Sequence, residues 1–181
     1  QERRVASNGD RKIDYVAGLY YFWQNVNGLG HYQQGPASAS WNNPNANQTL
    51  ANYALNGFLS YSIIEPITKS YAAFGQATWH ATDALSITAG LRFTHEHKTG
   101  LFDQYTAGGN DLSVLSPADR AAAQALRDAI YPERRYTTGL KDNALTGQIT
   151  IAYSITPDIL TYATYSRGSK SGGLSLGDLP A

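Results

Sequence analysis

The densest group of side chains capable of chemistry in this sequence is His95-Glu96-His97. Residues two apart on a strand share a face, so the two imidazoles would offer zinc or iron a pair of ligands if loops supplied the rest. No further ligand is identifiable, and the favoured reading is a polar stretch at the rim of a strand. Arg134-Arg135, and Arg167 with Lys170, carry cations that would attract an anionic ligand, weighed against ordinary solvated loop charge. Trp41 and the loop tyrosines offer rings for stacking on a ligand. Trp41, Arg134 and Arg135 are therefore the candidate ligand-contacting residues. Asn47-Gln48-Thr49 has the form of a glycosylation sequon and is read as accidental. Nothing resembles a nucleophile elbow, a phosphate loop or a catalytic carboxylate pair, so no enzyme activity, catalytic residue, metal site or cofactor is expected.

The totals narrow the choice. With 14 basic and 14 acidic residues in 181, the formal net charge is zero and no electrostatic case for nucleic acid exists. A mean hydropathy of -0.37 is too polar for a bundle of membrane helices, and no apolar run approaches the roughly 18 residues a spanning helix needs. Tyr accounts for 13 positions; its apolar ring and polar tip suit a membrane interface. The absence of cysteine excludes disulfides, thiolate metal sites and cysteine nucleophiles.

The elements that must position these residues read as strands. From Leu85 to Thr94, Leu85, Ile87, Ala89, Leu91 and Phe93 alternate with Ser86, Thr88, Gly90, Arg92 and Thr94. The same period of two runs from Ala144 to Tyr153, from Ile13 to Trp23 and, more weakly, from Tyr71 to Trp79; Leu160 to Arg167 also reads as strand. Asn8-Gly9-Asp10, Ala81-Thr82-Asp83 and Thr156-Pro157-Asp158 are compact turns between strand-like runs. The remaining connections, roughly Asn25 to Ser70 and Lys98 to Asp142, far exceed the about 12 to 15 residues usual in compact domains. Gln33 to Gln48 reads as a solvated loop, and Tyr53 to Ile64 as a possible strand extension. Ser116, Pro117 and Asp119 predict the cap and first turn of a short helix ending near Pro132.

Short turns alternating with long connections, and strands of about 9 to 11 residues, match a transmembrane β-barrel. Tyr15, Trp79 and Tyr153 fall on the apolar faces beside the short turns, where an aromatic girdle belongs, and Arg92 lies opposite the apolar face of its strand. Gly75-Gln76-Ala77-Thr78 and Gly147-Gln148-Ile149-Thr150 are weakly similar, as consecutive barrel hairpins are.

Tyr15 to Phe22 (YVAGLYYF), Tyr71 to Gln76 (YAAFGQ) with Leu85 to Thr94 (LSITAGLRFT), and Tyr162 to Gly173 (YATYSRGSKSGG) resemble the barrel of TonB-dependent outer-membrane receptors. The resemblance covers about half of the chain. It implies an all-β, antiparallel up-and-down transmembrane barrel of about 22 strands with a plugged lumen, of which about six long strands stand here, with short periplasmic turns, long extracellular loops and one loop helix. It also implies a bacterial outer-membrane location with lipid as a partner, and active uptake of a scarce nutrient, a ferric siderophore or similar iron complex, energised by the TonB-ExbB-ExbD complex through an N-terminal part. No plug, TonB box or terminal strand ending in an aromatic residue is recognised, and the last residues are Leu179-Pro180-Ala181. Residues 1–181 are therefore expected to be a partial barrel domain without a plug, whose open edge strands would leave backbone groups unpaired. A passive porin or structural barrel is the alternative, and a soluble all-β binding protein ranks below it.

Overall fold

The computed structural model describes residues 1–9 and 11–177. Asp10 of the first expected turn and the terminal Leu179-Pro180-Ala181 lie outside the described residues. The elements in order are β1 (Glu2–Ala6), β2 (Ile13–Asn25), β3 (Gly28–Gln33), α1 (Ser38–Asn42), α2 (Gln48–Leu55), β4 (Phe58–His80), β5 (Leu85–Gly108), a 3-10 turn (Leu112–Val114), α3 (Pro117–Ile130), β6 (Arg134–Thr156) and β7 (Ile159–Arg167). The seven strands form one antiparallel sheet in the order β1-β2-β4-β5-β6-β7, with β3 alongside β4. That order leaves β1 and β7 as its two ends among the described residues.

Register follows from the two-residue period, because slipping a strand by one would turn its whole apolar set to the other side. Ile13 pairs with Trp79, Leu19 with Ala73 and Tyr21 with Tyr71, so the odd-numbered positions of β2 and β4 share a face. Arg3 pairs with Leu19 and Tyr153 with Thr161, extending that face to the outer strands. Hydroxyls pair on the opposite side: Thr78 with Thr88, and Thr150 with Thr164, each at 2.9 Å. One irregularity lies between Ser154 and Thr156, at the turn end of β6 and β7. The turn at Ala81-Thr82-Asp83 closes as expected, since the Thr82 hydroxyl accepts from the amides of Ala84 and Leu85 at 3.2 and 3.0 Å; Gly9 adopts a left-handed φ of +77° that favours glycine.

The chain divides into two compact units. The first comprises Gln1–Asn25, Ile67–Thr99 and Gly139–Leu174; the second comprises Val26–Pro66, Gly100–Thr138 and the described residues from Ser175 onward. In the first unit nearly every large apolar side chain of the odd face, including Leu19, Leu91, Leu145, Ile151 and Tyr165, is exposed. A face this extensive is not left against water by a soluble protein. Its girdle residues Tyr15, Trp79 and Tyr153 are also exposed.

The second unit holds the only buried helical core among the described residues. Ala39 of α1, Ala51, Ala54 and Leu55 of α2, Leu112 of the 3-10 turn and Ala123 of α3 pack together, with Ala39, Ala51, Ala54, Leu55 and Ala123 fully enclosed. The Ser116 hydroxyl accepts from the Asp119 amide at 3.2 Å, so α3 starts where Ser-Pro-Ala-Asp placed it. Gln33 to Gln48 is not the solvated loop expected from its Asn, Gly and Pro content: α1 lies within it, with Ser38 and Ala39 buried. Asn47, read as part of an accidental sequon, caps α2 by accepting from the amides of Thr49 and Leu50. The long connections are correspondingly shorter than expected, since β3 and the ends of β4, β5 and β6 occupy much of them. Among the described residues there are seven strands: five contain the stretches read as strand in the sequence, and β1 and β3, of five and six residues, are too short to show a period.

Candidate functional site on the polar face

In the first unit, even-numbered positions of β2, β4, β5 and β6 line a cleft of about 470 Å³. Arg92 lies in its wall, as the alternation of Leu85 to Thr94 required. Its guanidinium carbon sits 5.0 Å from the centre of the Tyr20 ring and 5.8 Å from that of Phe74, and its Nε donates to the Thr94 hydroxyl at 3.2 Å. Two rings and a hydroxyl fix a planar cation while leaving its outer nitrogens for a ligand. The cradle is prepared by Gly18, the register partner of Phe74: a Cβ there would meet the Phe74 ring at 2.6 Å and the Arg3 carbonyl at 2.7 Å. Only a glycine lets the ring lie across β2.

A second cluster borders the same cleft. Lys98 Nζ donates to the Ser171 hydroxyl at 2.6 Å and the Gly172 carbonyl at 2.7 Å, and pairs with Glu96 at 3.3 Å; the Ser171 hydroxyl in turn donates to Glu96. The segment after β7 is thus held over β5. Glu96 therefore does not act with His95 and His97, whose side chains alternate to the other face. His95 Nδ1 meets Asn143 Oδ1 at 2.7 Å. Among the described residues, no three His, Asp or Glu side chains come together as a metal site. The spacing of Glu96 and Lys98, two apart, was the available signal for this cluster; Ser171 comes from too far along the chain to be foreseen.

The candidate ligand contacts lie in the second unit, on separate elements. Trp41 projects from α1 and is 86% exposed. Arg134 and Arg135 begin β6, and Arg135 Nε lies 3.7 Å from Asp103 while remaining largely exposed. Arg167 ends β7 opposite Gly147, and Lys170 follows in the held segment.

Beside Arg134, Glu133 accepts from the Thr106 hydroxyl at 2.7 Å and its amide at 3.0 Å. The hydroxyl first, then the amide, hold this carboxyl below its ordinary value. A carboxyl depressed in the folded state contributes stability above its unfolded pKa and loses it as pH falls through the folded value. Hydrogen-exchange protection of the Thr106 amide is therefore expected to fall once pH drops below about 4. In Glu133→Gln that acid-dependent loss should disappear, and a profile identical to the parent's would show that the pair contributes nothing.

Three comparisons bear on this geometry. The family model described as "TonB dependent receptor-like, beta-barrel" matches residues 3–181. The pesticin receptor of Yersinia enterocolitica is 25% identical over 179 residues, which are 97% of this chain and 20% of that protein. The pesticin receptor of Yersinia pestis is 24% identical over the same share. The chain thus spans about a fifth of the length of these curated relatives. The crystal structure of the ferric yersiniabactin uptake receptor FyuA from Yersinia pestis superimposes with a TM-score of 0.53 at 20% identity, over 90% of this chain and 19% of that one. At that identity the likeness speaks for the fold alone, and it agrees with the sheet described above. A family match over nearly the whole chain, on a sheet with one apolar exposed face and one polar face, establishes that the chain belongs to the TonB-dependent receptor family, as β-barrel sequence of the bacterial outer membrane and not as an enzyme.

Proposed function

We propose that residues 1–181 form one portion of a barrel that imports a ferric siderophore or similar iron complex across the outer membrane. The carrying observation is the family match over residues 3–181. The names of relatives and neighbour, a pesticin receptor and a ferric yersiniabactin uptake receptor, favour a siderophore among nutrients. In this reading a plug domain belongs to the same polypeptide, and TonB with ExbB and ExbD supplies the energy. The apolar face meets outer-membrane lipid, and the polar face with Arg92 lines the lumen. Trp41, Arg134 and Arg135 are the proposed ligand contacts, a ring for stacking and two cations for an anionic iron complex.

The test is uptake of radiolabelled iron by cells carrying the complete receptor as their only route for a panel of ferric siderophores. At least one complex should enter, and collapse of the proton-motive force should stop it. Truncating Trp41 and both arginines together should lower apparent affinity for that complex by about tenfold or more, since each contact of this kind contributes roughly 1 kcal/mol. Import that continues without the proton-motive force would point to a passive channel instead. Growth on none of the panel would remove the siderophore assignment while leaving the family intact.

A further inference from the structure

Three asparagines in this chain are followed by glycine: Asn8, Asn27 and Asn56. The dipeptide carries latent chemistry. The backbone nitrogen after an asparagine can close a five-membered ring on that residue's own carboxamide carbon, and a glycine in second place puts no Cβ in the path of closure. Asparagine is accordingly among the thermolabile residues of proteins. The three pairs are alike in sequence, and the fold separates them.

At Asn56 the nitrogen that would attack is engaged. The Gly57 amide donates to the Gln34 carbonyl, and the Gly57 carbonyl accepts from the Gly109 amide, each at 2.9 Å. Asn56 itself closes α2, its amide donating to the Asn52 carbonyl at 3.0 Å. At Asn27 the tie is the sheet. The Val26 amide donates to the Pro66 carbonyl at 3.1 Å and the Gln34 amide to the Phe58 carbonyl at 2.9 Å. The two-residue period of the antiparallel ladder between them brings the Gly28 amide onto its register partner Ile64. A nitrogen donating in a ladder cannot turn to its neighbour's side chain until that bond opens.

Asn8 is held by neither device. The β1–β2 ladder closes one residue before it, where the Ser7 amide donates to the Tyr15 carbonyl at 2.9 Å and the Ser7 hydroxyl accepts from the Tyr15 amide at 3.0 Å. Across the turn the chain is next fixed at Lys12, whose carbonyl accepts from the His80 amide at 3.0 Å. Between these ties Asn8 and Gly9 are exposed, and among the described residues neither the Asn8 carboxamide nor the Gly9 amide has a hydrogen-bond partner. Beyond its chain neighbours no atom lies within 4 Å of where a Cβ on Gly9 would stand, so a ring can close there without displacing anything.

We propose that Asn8 is a site of spontaneous deamidation in the folded receptor, converted through a cyclic imide to an aspartyl or isoaspartyl residue, while Asn27 and Asn56 are protected by the fold. The Gly9 nitrogen gives its proton to solvent base and bonds to Asn8 Cγ; the Cγ–Nδ2 bond breaks, and ammonia leaves with a proton from water. Water then opens the imide at one carbonyl or the other, with no change of oxidation state. Either product places a carboxylate in a turn whose other charged residues are Asp10, Arg11 and Lys12. The isoaspartyl product also adds a carbon to the backbone just beyond the pair of Ala6 and Val16.

The experiment ages the complete receptor in mildly alkaline buffer, folded in detergent and, in parallel, unfolded in guanidinium. Peptide mapping by mass spectrometry reads the amide-to-acid conversion at each asparagine, and isoaspartyl methyltransferase labels the isoaspartyl product. In the unfolded chain the three sites should react at similar rates. Folding should slow Asn27 and Asn56 by about tenfold or more, the factor that one net amide hydrogen bond supports, and leave Asn8 within about twofold of its unfolded rate. Asn8→Gln, whose longer side chain needs a six-membered ring, should abolish conversion in the peptide from Val5 to Arg11. Slowing of Asn8 on folding as large as that of the other two would overturn the proposal, as would an Asn8 that stays an amide in the folded receptor while the unfolded chain converts.

Discussion

Replacing Arg127 with alanine is expected to cost the helical unit roughly 2 to 5 kcal/mol, the largest effect of any single side-chain truncation in it. Arg127 is only 9% exposed, and among the described residues no carboxylate forms an ion pair with it. Its Nε donates to the Ala54 carbonyl and its Nη2 to the Asn110 carbonyl, each at 2.8 Å, while its carbon lies 4.8 Å from the centre of the Phe58 ring. One side chain therefore ties the end of α2, the stretch before the 3-10 turn and the start of β4 to α3. Burial pushes its pKa below the ordinary guanidinium value, yet an arginine remains charged at any physiological pH. Truncation leaves a void and two carbonyls without donors, each of which costs about 1 to 3 kcal/mol. Arg127→Lys should recover part of the loss, because a single ammonium cannot reproduce a fork. Exchange protection of residues 48–55 and 117–130 in the intact receptor measures this. Undiminished protection in Arg127→Ala would mean that the Ala-rich packing holds the helices by itself.

Leu91→Arg is expected to hinder membrane insertion, whereas Gln148→Lys is not. Leu91 is 64% exposed in the middle of the apolar face, so in a water-soluble protein a charge there would be nearly neutral to stability. Against lipid the same change costs about 2 to 4 kcal/mol near the midplane. Gln148 lies one strand over at an even position, lining a polar recess with Gln76 and Thr146. A lysine there meets water, and its effect should stay within about 0.5 kcal/mol. The fraction of receptor recovered folded in the outer membrane separates the two variants. Equal recovery would contradict the assignment of the odd face to lipid.

How much of this was legible depended on what surrounds each stretch. Where lipid lies on one side and polar surface on the other, the sequence must alternate, and Leu85 to Thr94 announced both its strand and the face of Arg92. The strand continues to Gly108, but there the alternation of apolar and polar residues is lost, so the ends of β4, β5 and β6 were counted as connections. The α3 helix was readable because Ser116, Pro117 and Asp119 are local signals. Those of α1 and α2 were hidden by Asn, Gly and Pro, although the Asn47 cap was present. The Arg92 cradle needed three strands: the face was evident, but Phe74 over Gly18 is a matter of register. Ser171 on Lys98 is more distant still, since nothing near position 98 refers to position 171.

The helical core has a consequence for how such a sequence drifts over generations. At Ala39, Ala51, Ala54 and Ala123 no solvent reaches the side chain, and Leu55 and Leu112 complete the cluster they form. Enlarging any of them forces helices apart, so these sites accept almost no replacement. Trp41 lies on the same short helix as Ala39 and touches mostly solvent, and it accepts nearly any residue without cost to the packing. Variation is thereby channelled to the solvent-facing side of α1, and a lineage can alter that side while inheriting the alanines beneath unchanged.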